Sequence, residues 1–200
     1  MKKNYLKRKN LLPQEFYKNK TILIAKQLLG AYLVRTLDNK RLVGKIVETE
    51  AYLGFKDPAC HSYKGKTERC KVMFWEGGHF YVYFIYGFYH CLNVVTEKEG
   101  VPEAVLIRAL EPVEGVEIMR KLRKGKKNLT SGPGVLCEAF KIDRSFNGHP
   151  VWEKPLQIFK PLNRDFKIVQ KERIGVDYAG EAKRWKLRFY IKNNPYVSKK

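Results

Sequence analysis

AYLVRTLDNKRLVGKIVETEAY, residues 31–52, decides how this chain folds. Two runs rich in apolar and β-branched residues flank Asp38-Asn39-Lys40, and that combination predicts two strands joined by a tight turn. Side chains alternate between the two faces of a strand, so Glu48, Glu50 and Tyr52 share one face. Spacing alone predicts that two carboxylates on a strand face point into water. The functional alternative is a carboxylate at a strand end, aimed into a cleft as a general base, with the Tyr52 ring beside it.

Working outward, residues 13–29 read as a helix, with Leu23, Ile24, Leu28 and Leu29 on one side and Gly30 as the stop. Residues 53–79 are polar and glycine-rich, and read as a long functional loop. Residues 80–85 and 89–95 read as strands joined around Tyr86-Gly87, and residues 103–110 as a further apolar strand. A helix is expected over 111–125, with Pro112 in its first turn and Gly125 at its end. Another is expected over 131–142, with Ser131 as its cap. Later strands fall at 156–159 and 186–192. The expected fold class is α+β, a single domain over residues 1–200 with a largely antiparallel sheet.

The chain has 200 residues, enough for one domain with a real core, and 44% of them are hydrophobic, which excludes global disorder. Forty Lys and Arg against twenty Asp and Glu give a formal net charge of +20. Such an excess points to a polyanionic partner, or to nothing more than solubility. The four cysteines, Cys60, Cys70, Cys91 and Cys137, contain no C-x-x-C pair. No metal and no cofactor are therefore expected, and free thiols suit a reducing cytoplasm. The amino-terminal stretch is charged, with no apolar run behind it of the kind a secretion signal has. The most apolar run, residues 80–95, holds Gly87, His90 and Asn93 and is too short and polar to span a bilayer, so no membrane partner is expected.

FYVYFIYGFYH, residues 80–90, packs four tyrosines and three phenylalanines into eleven positions. Tyr81 and Tyr83 share one strand face, while Phe80, Val82 and Phe84 share the other. One face is then core-like and the other carries phenols. Tyr86 precedes Gly87, where a sharp turn would expose a ring at a hairpin tip. The rings either pack under the long loop or meet a ligand. Nucleic acid unites these features: basic surface for phosphates, rings that stack on bases, a wedge at a loop tip, and a ring-lined pocket with a carboxylate at its wall, as base-flipping chemistry requires. His61, by itself, reads more readily as a surface or satisfied core histidine than as a site residue.

IVETEAYLG, DPACHS, MF, YVYFIYGFYHCLNVV, LIRALEP, SGP and YAGEAKRWKLRFY, in that order, resemble the alkyladenine (3-methyladenine) DNA glycosylase family of the mammalian type, over about residues 11–197. The resemblance implies a curved antiparallel sheet flanked by helices, with a β-hairpin protruding into the DNA minor groove. It implies a monofunctional glycosylase acting on alkylated or deaminated purines in double-stranded DNA, as a monomer and without a cofactor. By the same resemblance, Glu50 activates water, and Arg108 and the backbone carbonyl of Ile174 hold that water. Tyr52, His61 and Tyr83 enclose the flipped base, Tyr86 is the wedge, and Asn93 crowds the amino group of guanine. Two departures stand out. Cys70 occupies a position where relatives often carry a polar residue, and residues 115–131 are unusually lysine-rich. Two rival readings are a lysine-based lyase, for which no single lysine stands out, and a non-catalytic binding module, which has no need of Glu50.

Overall fold

The computed structural model describes residues 6–85, 87 and 89–199. The early hairpin forms as expected. Strand β1 (Tyr32–Leu37) pairs antiparallel with β2 (Lys40–Tyr52), and Asp38 and Asn39 carry the positive φ values, 46° and 61°, that a two-residue turn needs. Lys40 already belongs to β2, where it pairs with Leu37.

The remaining strands are β3 (Phe80–Ile85), β4 (Tyr89–Thr96), β5 (Glu103–Glu114), β6 (Leu156–Phe159), β7 (Ile168–Lys171) and β8 (Arg188–Ile191). Among the described residues these eight strands make one sheet in the order β3-β4-β5-β2-β1-β6, with β8 joining the second half of β2 and β7 joining β8. All pairings are antiparallel. The α+β, mostly antiparallel expectation therefore holds.

Three local expectations do not hold. The helix expected over 13–29 is two short helices, α1 (Gln14–Tyr17) and α2 (Thr21–Gln27). The Tyr17 carbonyl leaves the helical ladder to accept the Glu97 N–H at 3.0 Å, and Asn19 caps the Glu15 and Phe16 carbonyls. The helix expected from residue 111 starts only at Val116, as α3 (Val116–Leu122). Residues 111–114 instead continue β5 against β2, and Pro112 is tolerated beside a register shift, where a missing N–H costs little. Gly115 makes the turn between them at φ 79°, and a Cβ there would stand 2.6 Å from the Arg41 carbonyl oxygen. Finally, α4 (Pro133–Ala139) is preceded by Gly132 rather than capped by Ser131, whose backbone bridges to Ala109. Strand β7 carried no sequence signal, because most of its side chains face water.

Strand alternation divides the sheet into two environments. One face carries Leu33, Val47, Phe80, Val82, Leu92, Val94, Val105, Ile107 and Phe189, which pack with Ile24 and Ala25 of α2, Leu28 just after it, Leu136 and Ala139 of α4, and Phe140 just after that helix. The opposite face carries Tyr81, Val95 and Ala104, covered by Cys60, Cys70, Val72 and Met73 of the long 53–79 loop. The parity read from residues 80–83 is thus realised. Phe84 is the exception: it is 45% exposed.

Candidate active site

On that second face a cavity of about 500 Å³ opens between β3, β4, β5, the 53–79 loop, the start of α4 and residues 174–178. Its volume lies within the roughly 300–1,000 Å³ typical of small-molecule sites. Tyr52, His61, Tyr83, Asn93, Arg108 and Ile174 all line it. Six positions spread over more than a hundred residues of sequence therefore meet around one space.

Glu50 stands directly behind this wall. It is fully buried, and so is Glu48, which overturns the expectation that both point into water. One Glu50 oxygen, Oε1, accepts the Ile174 backbone N–H at 2.8 Å. The other, Oε2, accepts the Tyr52 hydroxyl at 2.9 Å and an Arg108 N–H at 3.3 Å. A carboxylate offers about four acceptor positions. Among the described residues three are filled, two on Oε2 and one on Oε1, and Oε1 lies beside Ile174, which lines the cavity.

Arg108 reaches Glu50 because of a local irregularity in β5. The β2–β5 register shifts on either side of Glu48, so that Glu48 faces Ala109 and Thr49 faces Ile107, leaving Arg108 as the extra residue. Such bulges re-aim a side chain. Burial pulls the Arg108 pKa down, but the Glu50 and Glu48 charges outweigh it and hold the guanidinium above its ordinary value.

The ring cluster is neutral. Burial pushes the Tyr52, Tyr81 and Tyr83 phenols up, so all three keep their protons. Burial, with the nearby Arg69 charge, lowers His61 to about 4. His61 Nδ1 shares a hydrogen with the Tyr81 hydroxyl at 2.9 Å, and its ring meets Tyr83 edge-on at 4.5 Å. Asn93 donates through Nδ2 to the Tyr81 carbonyl at 3.0 Å, which fixes its amide at the cavity wall. Cys70 is buried inside the loop, where its sulfur accepts the Thr67 N–H at 3.3 Å; there it organises the loop's own fold.

The family model for methylpurine-DNA glycosylase matches residues 15–195. The chain belongs to the methylpurine-DNA glycosylase family. Similar proteins carry the name "Putative 3-methyladenine DNA glycosylase". One, from Legionella pneumophila (strain Corby), is 51% identical over 189 residues, covering 94% of this chain and 98% of that protein. One from Methanocella arvoryzae is 52% identical over 193 residues, covering 95% and 96%. One from Bdellovibrio bacteriovorus is 48% identical over 196 residues, covering 95% and 100%. As a methylpurine-DNA glycosylase the chain is a hydrolase of DNA repair.

Several residues of this glycosylase's site escaped the sequence reading. Asp57 and Arg173 form a buried bidentate pair, and the Arg173 guanidinium also lies over the Tyr52 ring at 4.8 Å. Asp57 binds the Leu53 and Ala59 N–H groups as well, the turn signature that the Asp-Pro step in KDPAC carries. Tyr89 and Tyr178 join the cavity wall, and Tyr178 donates its hydroxyl to the Ala59 carbonyl at 3.1 Å. Tyr86 lies outside the described residues. Among the described residues no group of His, Cys, Asp and Glu is arranged to hold a metal ion, no helix is long and apolar enough to cross a membrane, and all four cysteines are unpaired and buried.

Proposed function

We propose that this chain is a monomeric, single-domain, monofunctional glycosylase that flips damaged purines out of duplex DNA and hydrolyses their N-glycosidic bond with water activated by Glu50. The observation that carries this reading is the buried Glu50 carboxylate, gripped by Arg108 and the Ile174 amide, against the wall of a ring-lined cavity. The relatives' names point to 3-methyladenine as the principal lesion.

In the reaction the C1′–N bond lengthens first, and positive charge grows on the sugar as in glycoside hydrolysis. Glu50 stabilises that charge and takes a proton from water, whose oxygen bonds to C1′. The bond pair leaves with the purine, which for 3-methyladenine discharges the cation that alkylation created. Tyr52, His61 and Tyr83 hold the flipped base; a cation between such faces gains about 0.5–2 kcal/mol. The neutral state of His61 spares that cation a repulsive partner. Arg108 and the Ile174 backbone hold the water, Asn93 excludes the amino group of guanine, and Tyr86 fills the gap left in the duplex. Hypoxanthine, a neutral leaving group, reacts more slowly at the same site.

The lyase alternative needs an amine at the cavity, and among the described residues lining it there is no lysine. A panel of duplexes with one lesion each, scored for free base and for strand breaks, tests the proposal. The expected result is free 3-methyladenine and hypoxanthine, intact strands and no borohydride-trapped adduct. A trapped adduct contradicts the water mechanism.

A further inference from the structure

Glu48, the other carboxylate of VETEAY, has no role in the reaction above, yet it is as deeply buried as Glu50. Its surroundings form a line of alternating charge: Arg188, Glu48, Arg108, Glu50. Arg188 Nη1 donates to Glu48 Oε1 at 2.8 Å, and that oxygen faces Arg108 Nε at 3.5 Å. Arg108 then reaches Glu50 through Nη1. The Nε of Arg108 is buried and makes no hydrogen bond among the described residues. Its orientation at the bulge is therefore set by two carboxylates, one on each side.

Glu48 is in turn fixed from outside the sheet. Its Oε2 accepts the Ser198 backbone N–H at 2.8 Å, and Arg188 Nη1 also donates to the Lys199 carbonyl at 2.7 Å. The same segment is anchored by Asn194, which donates to Glu111 at 2.8 Å, and by the buried Val197. Arg188 Nε donates to the Glu172 carbonyl at 2.9 Å, two residues before the Ile174 amide that holds Glu50.

We propose that Glu48 is a positioning residue for Arg108, and that the 194–199 segment belongs to the catalytic apparatus because its Ser198 amide sets the Glu48 carboxylate. The segment touches neither the base cavity nor the reacting atoms. Its contribution is to hold the guanidinium where it meets Glu50. This inference rests on the hydrolytic reading of the site.

Ser198 allows a clean test, because among the described residues its buried hydroxyl has no hydrogen-bond partner while its backbone N–H holds Glu48. Ser198→Ala keeps the N–H, Ser198→Pro deletes it, and Glu48→Gln removes the charge. Each is compared with the wild type, well below its melting temperature, for single-turnover release of 3-methyladenine from methylated duplex. Binding is measured on a duplex holding a tetrahydrofuran abasic-site analogue. Ser198→Ala is expected to match wild type in both assays. Ser198→Pro and Glu48→Gln are expected to release base about tenfold or more slowly, because a small misplacement near the reacting atoms has effects of that order. Their binding should stay within about twofold of wild type, the split that marks a transition-state loss. A folded Ser198→Pro that releases base at the wild-type rate overturns the proposal, and the Ser198 pair decides alone if Glu48→Gln does not fold. A wild type that releases no base overturns the hydrolytic reading as well, so the two failures are told apart.

Discussion

A carboxylate gripped on one oxygen by a backbone amide and on the other by a guanidinium and a phenol has little freedom to rotate. In the proposed reaction that constraint holds the Glu50 carboxylate in place without reorganisation as charge develops. His61 gives a pH signature at the same scale. Its folded pKa, about 4, is below its ordinary 6.5, so between these values the unfolded chain binds a proton that the folded chain refuses. The stability linked to His61 is complete above pH 6.5 and is lost as pH falls toward 4. Melting temperatures measured across this window should therefore fall less steeply with acid in His61→Asn than in wild type; equal slopes would show that His61 is not the titrating group. The side-chain alternation of VETEAY put Glu50 and Tyr52 on one face correctly. What spacing could not supply was burial, since the arginines that make two buried carboxylates tolerable lie far along the chain, at 108 and 188.

Among the elements, the site depends on segments that lie outside the sheet and the α-helices. The Asp57–Arg173 pair ties the 53–79 loop to residues 173–182, backs the Tyr52 ring and adjoins Ile174. Arg173→Ala leaves Asp57 buried and unpaired, and should cost about 3–5 kcal/mol in denaturant unfolding. The double variant Arg173→Ala/Asp57→Ala should cost less than the sum of the two single changes; strict additivity would contradict the coupling. Helix α4 meets β4 where Gly134 lies under Tyr89, and a Cβ there would stand 2.7 Å from the ring. Gly134→Ala should cost about 1–3 kcal/mol of stability, as overpacking does, and should shift Tyr89 on the cavity wall. All strands but β7 were legible from their period. The helices at 13–29 and 111–125 were not, because tertiary partners decided both: Glu97 draws away the Tyr17 carbonyl, and β2 extends β5 through Pro112. Local signals for helix start and stop are weaker than a row of strand hydrogen bonds.

At the scale of the whole molecule, one sheet separates a helix-covered core from the face that holds the cavity, and the chain carries a formal charge of +20. DNA binding should therefore weaken with salt, log K falling by about 0.9 per decade of salt for each phosphate neutralised. Damaged and undamaged duplexes should give parallel slopes, since phosphates carry no lesion information. A slope near zero would show that the surplus charge serves no DNA contact. The family resemblance reached across nearly the whole chain, whereas the charged line behind Arg108 became visible only in three dimensions. The most direct measurement is single-turnover release of 3-methyladenine by Glu50→Gln beside binding of the abasic-analogue duplex. Release should fall by about 10²–10⁴-fold, the range for a lost general base, with binding retained; base release at the wild-type rate would contradict the account.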